Sequence, residues 1–165
     1  MKPSRPVVVG EQRAYLDCEF TSLNPSYELI SLALVVPQGP EFYVEITDTW
    51  AVDDCSAFVQ RIVLPRLALD QFGLPLVEAG RRLHAWLAQF EALDILNDAP
   101  HYDWPLLLRL AGPQGLPEHV GARAIPLAEL ELLEMLEFPH HALEDARIIA
   151  AFIEPRLFLG ELSDR

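Results

Sequence analysis

The stretch "RAYLDCEF" (residues 13–20) decides the fold, because its polar and apolar side chains alternate. One side of it carries Tyr15, Asp17 and Glu19, and the other carries Leu16, Cys18 and Phe20. Such alternation predicts a β-strand. The next stretch, "YELISLALVV" (27–36), is nearly all apolar and predicts a strand covered on both faces. A turn at "PQGP" leads into "EFYVEIT" (41–47), a third strand expected to pair antiparallel with the second.

The rest of the chain predicts helices and one further strand. Apolar periodicity, N-cap residues and prolines predict helices at 53–69 (bent or broken at Pro65), 75–90, 103–112, 128–137 and 142–154. "ALDIL" (92–96) predicts a strand, and residues 112–126, rich in Gly and Pro, predict an irregular loop. Residues 1–12 are expected to form a short polar tail. Because no repeat or linker divides the chain, we predict a single mixed α/β domain over residues 1–165.

The composition of the chain narrows its function. Its 165 residues, 51% hydrophobic, suffice for one globular core, and its apolar runs stop short of the roughly 18 residues that a membrane-spanning helix needs. Cys18 and Cys55 have no metal or redox spacing, which favours a reducing cytoplasm. A net charge of −13 argues against an extended nucleic-acid surface but allows a small active site where bound cations screen the acids. Solubility alone also accounts for this acidity.

Two acids of the first predicted strand are candidates for metal binding. Asp17 and Glu19 lie two residues apart, so both side chains leave the same face. Neighbouring carboxylates repel each other, and keeping both ionised requires a compensating cation. Oxygen ligands suit Mg²⁺ or Mn²⁺ better than zinc. The alternative is an exposed strand face with two ordinary acids.

Three further acids stand at the ends or on the inner faces of predicted elements. Asp98 follows a strand and is equally well explained as a turn residue, and Asp103 is equally well explained as a helix N-cap. Asp145, within "HHALEDARIIA" (140–150), falls inside the apolar arc of its helix. A carboxylate there is costly unless it is paired, hydrogen-bonded or bound to a metal. An arginine from elsewhere in the fold is the alternative partner.

Together, these acids resemble a known family. "YLDCEFTSLNP" (15–25), "HYDWPLL" (101–107) and "HHALEDA" (140–146) occur in the order and rough spacing of the three motifs of the DEDDh 3′–5′ exonucleases. That superfamily includes polymerase proofreading subunits, RNase T and oligoribonuclease. The resemblance covers residues 14 to about 153, and "TSLNP" is closest to the oligoribonuclease version.

The resemblance implies a fold and a set of roles. The fold is RNase H-like: a mixed sheet flanked by helices, with three antiparallel N-terminal strands and later strands parallel to the first. The implied ligands of two Mg²⁺ or Mn²⁺ ions are Asp17, Glu19, Asp103 and Asp145. His140 is the implied general base, a task that suits histidine because it exchanges protons near neutral pH. Thr21 and Leu23 are expected to hold the last nucleotide.

The chain departs from the family pattern in two places, and helical periodicity disagrees with the pattern in a third. The family places an Asn shortly before the aromatic–Asp pair, and here Asn97, Asp98 or neither takes that role, with Asp98 retained as a candidate substrate-binding residue. Ser22 stands where oligoribonuclease has Gly. On a continuous helix His141, rather than His140, would share the face of Asp145. The family spacing selects His140, so the helix must begin near residue 142, and His141 is then expected to be a solvated neighbour.

The implied activity is two-metal-dependent 3′–5′ hydrolysis of single-stranded RNA or short oligonucleotides, with release of nucleoside monophosphates. The alternatives are a DNA proofreading or repair exonuclease, a catalytically silent relative that binds nucleic acid or protein, and an unrelated domain whose acids are incidental. The expected partners are single-stranded 3′ ends. Many members of the family are homodimers, but the sequence identifies no interface for one.

Overall fold

A single mixed sheet organises the chain in the computed structural model, which describes residues 11–163. Six strands lie in the order β4-β3-β2-β1-β5-β6. They are β1 (Glu11–Phe20), β2 (Leu29–Val35), β3 (Glu41–Ile46), β4 (Gly73–Leu74), β5 (Ala92–Leu96) and β6 (Val120–Ala122). β2 pairs antiparallel with β1 and β3, whereas β5 runs parallel to both β1 and β6, and β4 runs parallel to β3. The predicted fold class is confirmed, and the arrangement is compatible with an RNase H-like fold.

Helices cover both faces of this sheet. They are α1 (Leu69–Phe72), α2 (Leu76–Leu87), α3 (Pro100–Ala111), α4 (Leu127–Leu133) and α5 (Ala142–Ser163). Leu16 and Cys18 of β1 pack in one core with α2 and α3, while Tyr15 packs in a second core with α5. The predicted alternation of β1 is therefore confirmed, and β2 is buried along its whole length, as predicted. Within residues 11–163, no helix combines the length and apolar character required to cross a bilayer.

Several predicted boundaries were wrong. The predicted helix 53–69 is instead a chain of short turns: Val52–Asp54 (3₁₀), Val59–Val63 (π), Leu64–Arg66 (3₁₀) and α1. The backbone is extended at Cys55 and at Leu67, which separates these turns, and Pro65, which cannot donate a backbone hydrogen bond, lies in the second 3₁₀ turn. The predicted loop 112–126 contains β6, because the backbone of residues 120–122 pairs with β5.

Two helices are longer than predicted. α3 begins at Pro100 rather than at residue 103, since a proline in the first turn loses no helical hydrogen bond. α5 continues past the predicted end at 154 and runs through the exposed Pro155 to Ser163. At the other end of the chain, residues 11 and 12 of the predicted tail belong to β1. Residues 1–10 lie outside the described part.

The register of the two central parallel strands places the candidate site. Tyr15 of β1 is paired with Leu96, the last residue of β5. Because the strands are parallel, the chain leaving β5 comes level with Asp17 and Glu19 near the carboxyl end of β1. Open α/β sheets bind ligands at such carboxyl ends. The acids of the first two motifs therefore meet at one edge of the sheet.

Candidate active site

A cavity of about 500 Å³ opens at this edge of the sheet. Five carboxylates and one histidine contribute to its lining: Asp17, Glu19, Asp98, Asp103, Asp145 and His140. Its apolar lining includes Phe20, Leu23, Phe58, Val59 and Phe138. The structure thus brings every predicted metal ligand and the predicted base into one cavity, together with Leu23 and Asp98.

The two acids of β1 reach the cavity from the face of the strand that packs against α5. Both side chains are half-buried. The Oδ2 atom of Asp17 is fully buried and has no hydrogen-bond partner among the described residues. The alternative of an exposed strand face with two ordinary acids is therefore wrong.

The third motif reaches the cavity through a break in helical geometry. His140 has φ 60°, a left-handed backbone conformation that ends helical continuity, and α5 begins two residues later at Ala142. The predicted helix start near residue 142 is confirmed. Asp145, one turn into α5, is only 4% exposed, and its Oδ1 atom lacks a hydrogen-bond partner. Its place in the apolar arc thus aims a buried carboxylate at the cavity.

The second motif contributes an acid that a neighbouring amide orients. Asp103 is 2% exposed, and its Oδ2 accepts a hydrogen bond of 3.4 Å from Nδ2 of Asn97. The alternative role of Asp103 as a helix N-cap is wrong, because Ala99 occupies the N-cap position of α3. Asn97 therefore supports the Asp103 carboxylate, while Asp98 is left to face the cavity.

The possible ligand atoms form two groups. Glu19, His140 and Asp145 each offer one atom within 4.8 Å of the others, and so do Asp17, Asp98 and Asp103. Each group has a spacing that suits one cation. The four acids predicted as ligands are divided evenly between the two groups.

Burial, and after it electrostatic repulsion, raises the pKa values of the acids in the cavity. Burial, followed by repulsion from Asp145, raises the pKa of Glu19 to about 8. Burial raises the pKa of Asp145 to about 6, although backbone N–H groups of the preceding turn oppose the shift. Burial raises the pKa of both Asp17 and Asp103 well above the usual range, and nearby carboxylates add to this. Among the described residues that line the cavity, none is a lysine or arginine. A bound cation would therefore relieve this repulsion.

A buried polar network lies behind the histidine motif. Glu45 is fully buried and accepts hydrogen bonds from the backbone N–H of Ala68 (2.9 and 3.0 Å) and from the Tyr43 hydroxyl (2.7 Å). The Tyr43 oxygen also lies 3.2 Å from Nε2 of His141. Since the hydroxyl proton goes to Glu45, Nε2 of His141 must donate. His141 is therefore half-buried and bonded, and the expectation of a solvated neighbour was wrong.

The predicted nucleotide-binding residues occupy different environments. Leu23 is 75% exposed at the rim of the cavity. Thr21 is buried, and its hydroxyl accepts a hydrogen bond of 3.0 Å from the backbone N–H of Glu28. The structure does not place Thr21 among the lining residues, so its nucleotide-binding role stays a prediction.

The sequence did not identify Phe58 and Phe138 as cavity residues. Phe58 is 45% exposed, and its ring stands edge-on to the His140 ring at a centroid distance of 5.0 Å. The segment that carries Phe58 is tied to the first motif, because Ser56 N–H donates to the Thr21 carbonyl (2.9 Å). A regular helix over 53–69 gives no reason to place Phe58 here. Pro65 was the one signal that the segment is irregular.

Neither known protein-family models nor curated proteins match this sequence. The resemblance to the DEDDh exonucleases therefore rests on the three motifs and on the geometry of the cavity.

Proposed function

We propose that this protein is a two-metal-dependent 3′–5′ exonuclease that hydrolyses the terminal phosphodiesters of single-stranded RNA or short oligonucleotides. One observation carries the proposal: acids from all three motifs converge with His140 on a single cavity in which carboxylate oxygens lack partners. Incidental acids on a stable domain would have found arginine partners or solvent.

The donor set fits divalent cations. Two buried oxygens, Oδ2 of Asp17 and Oδ1 of Asp145, have no hydrogen-bond partner among the described residues. The two residues belong to different groups of possible ligands, one for each cation. Carboxylates are the ligands that Mg²⁺ and Mn²⁺ prefer. We assign Asp17, Glu19, Asp103 and Asp145 as ligands of two such ions. When bound, the ions supply an acidified water and stabilise charge on the leaving 3′ oxygen.

The side chains of the cavity perform the remaining tasks. His140, held outside the helix by its left-handed backbone, takes the proton of the attacking water on a ring nitrogen. Asn97 keeps the Asp103 carboxylate in place through its amide. Leu23 and Phe58 present exposed apolar surface beside the acids, which suits contact with the faces of nucleobases.

The charge of the chain bears on the form of the substrate. A net charge of −13 disfavours a long groove along a duplex backbone. An enzyme that grips one or two terminal nucleotides through cations has no need of such a groove. We therefore propose 3′ overhangs and short single strands as substrates. Equal or faster digestion of blunt duplex in a parallel assay would contradict this.

The test is release of mononucleotides from a 3′-labelled RNA oligomer in Mn²⁺. The wild type should release labelled nucleoside monophosphate from the first turnover, and Asp17→Ala should not. Asp94→Asn is the matched control, since Asp94 is a half-buried acid elsewhere on β5 and lines a separate cavity. Activity retained by Asp17→Ala would overturn the ligand assignment.

The same assay separates the alternatives. A DNA oligomer of identical sequence that is digested faster than the RNA would favour a DNA proofreading or repair exonuclease. Binding of either oligomer without metal-dependent cleavage would favour a silent relative. Cys18 and Cys55 are both free and buried, which supports the cytoplasm as the proposed compartment.

A further inference from the structure

We propose that Asp98 is a fifth carboxylate ligand, which binds the cation on the Asp17–Asp103 side of the cavity. The inference rests on the proposed function, because it takes the cavity to be a site for divalent ions. It goes beyond the resemblance, which assigns four carboxylates and an asparagine near this position.

The backbone delivers Asp98 to the cation group. β5 ends at Leu96, opposite Tyr15, so the next two residues continue alongside Asp17. A carboxylate oxygen of Asp98 lies within 4.8 Å of ligand atoms of both Asp17 and Asp103. The side chain is half-buried and lines the same cavity. Asp98 thus occupies the place of a ligand, not that of a distant charge.

The neighbour of Asp98 already fills the supporting role. The Asn97 amide donates to Oδ2 of Asp103, and Asn97 is itself buried. A polar residue that orients an acidic ligand from behind is therefore present without Asp98. This leaves the Asp98 carboxylate for the cation itself.

Two buried carboxylate oxygens of the cavity have no hydrogen-bond partner in the described part of the chain, which indicates that the cavity binds a positively charged ligand. Oδ2 of Asp17, in the same group as Asp98, is buried and without a partner. Across the cavity, Asp145 is 96% buried with Oδ1 equally unpartnered. None of the described groups donates to these atoms, and most of their neighbours in the two groups are themselves carboxyl groups. A cation in each group would satisfy these oxygens.

The extra acid changes the charge balance of the site. Four ionised carboxylates neutralise two divalent ions, and Asp98 leaves one negative charge in excess. Additional anionic oxygen ligands tighten the binding of hard cations. We therefore expect the group of Asp17, Asp98 and Asp103 to bind its cation more tightly than Asp17 and Asp103 would without Asp98.

The experiment is a titration of the metal-free protein with Mn²⁺, with free Mn²⁺ measured by electron paramagnetic resonance. Asp98→Asn should weaken one of two sites by about 10- to 100-fold. Asp98→Glu keeps the charge but displaces the carboxylate, and it should weaken the same site. Asp94→Asn, the remote acid of β5, should leave both sites unchanged.

Each outcome decides the inference. If Asp98→Glu binds both ions like the wild type, Asp98 acts only through its charge and the proposal is overturned. If Asp98→Asn shifts affinity by less than about threefold, the proposal is equally overturned. Asp17→Asn tests the proposed function separately: two intact sites in that variant contradict the metal centre itself. Loss of a site in Asp17→Asn alone contradicts only the role of Asp98.

Discussion

Carboxylates are paired with hydrogen-bond donors at one end of the contact between β1 and α5, and at the other end they face other carboxylates. At the amino end of β1, Arg13 donates to Glu154 (3.0 Å) and to Glu161 (2.9 Å), and the Tyr15 hydroxyl donates to Glu154 (2.5 Å). At the carboxyl end of the same strand face, Glu19 and Asp17 meet Asp145, the acid one turn into α5. One strand and one helix thus build both a paired and an unpaired acidic cluster.

The pKa values of the glutamates differ between the two ends of this contact. Hydrogen bonding to Arg123 lowers the pKa of Glu161, although burial opposes it. Burial and repulsion raise the pKa of Glu19 to about 8. Among the described residues, the arginines that pair with acids between β1 and α5 lie at only one end of this contact. Acids that are left unpaired at the other end cost stability, which a cation from solution can restore.

The largest expected effect is that of Asp17→Asn on turnover. Loss of an assigned ligand should lower kcat for 3′-end cleavage by about 1000-fold, which corresponds to about 4 kcal/mol. The same change removes a buried carboxyl group that is repelled by four other acids, Asp103, Glu19, Asp145 and Asp98. We therefore expect the metal-free variant to be about 1 kcal/mol more stable than the wild type at pH 8.

Opposite movements of activity and stability distinguish this prediction from simple misfolding. Initial rates in Mn²⁺ and urea denaturation in the absence of metal measure the two quantities on the same preparation. A variant that is both inactive and less stable would show that Asp17 is a structural acid.

The next effect concerns pH. The folded-state pKa values of Glu19 (about 8) and Asp145 (about 6) lie above their ordinary values of 4.5 and 3.8. The folded state therefore holds these protons more tightly than the unfolded state. The stability they contribute is complete below about pH 4 and is lost as the pH rises to about 8. Without solvent screening the two shifts correspond to about 7 kcal/mol. Because Glu19 is half-buried and partly screened, we expect the metal-free protein to lose less than this, but at least about 3 kcal/mol, over this range.

Excess Mg²⁺ is the control for the pH prediction. A bound cation replaces the protons, so the loss between pH 5 and 8 should largely disappear when the ion is present. Urea denaturation at several pH values, with and without Mg²⁺, measures both curves. Parallel curves would mean that these acids do not share a cation.

The sequence pattern within each element predicted which acids face inward, but the position of Asp98 depends on how the strands are arranged in the sheet. The alternation of β1 put Tyr15, Asp17 and Glu19 on one face, and the helical wheel put Asp145 on an inner face. Both depend on side-chain period alone, and both are confirmed. The position of Asp98 depends on the parallel pairing of β5 with β1, a contact between residues about 80 apart in the chain. No local pattern carries such information.

Irregular segments were the other source of error. Phe58 reaches the cavity from a segment of short turns in place of the predicted helix, and sequence propensity does not fix the direction of such turns. The bonded state of His141 depends on Tyr43, a residue of β3 that is brought near by the sheet. Tertiary contacts thus decided what local propensities left open.

A smaller effect is expected at the paired end. Glu154→Gln removes the charge that faces Arg13 and weakens the bond from Tyr15. These side chains are partly exposed, so we expect a loss of about 1–2 kcal/mol in the free energy of unfolding. Turnover per folded molecule should not change, because Glu154 lies nine residues, or about two and a half turns of α5, from Asp145. Urea denaturation and initial rates test the two statements, and a large fall in kcat would contradict the separation of the two ends.

The smallest effects come from a matched pair of tyrosines. Tyr15 and Tyr43 each donate a hydroxyl hydrogen bond to a glutamate, at 2.5 and 2.7 Å. Either change to Phe should cost about 1 kcal/mol of stability. Only Tyr43 also contacts His141, the residue beside the proposed base. We therefore expect Tyr43→Phe to lower kcat by about 3- to 10-fold with an unchanged KM, and Tyr15→Phe to leave kcat as it is.

Comparing Tyr15→Phe with Tyr43→Phe separates an effect on the position of His140 from an effect on the stability of the fold. Both variants lose one buried hydroxyl from the same side of the sheet, so a general loosening of the fold would affect their turnover alike. A kcat that falls only in Tyr43→Phe requires transmission through His141 to His140. Equal kcat values in the two variants would show that the His140 backbone holds its left-handed conformation without help from the Glu45–Tyr43–His141 network.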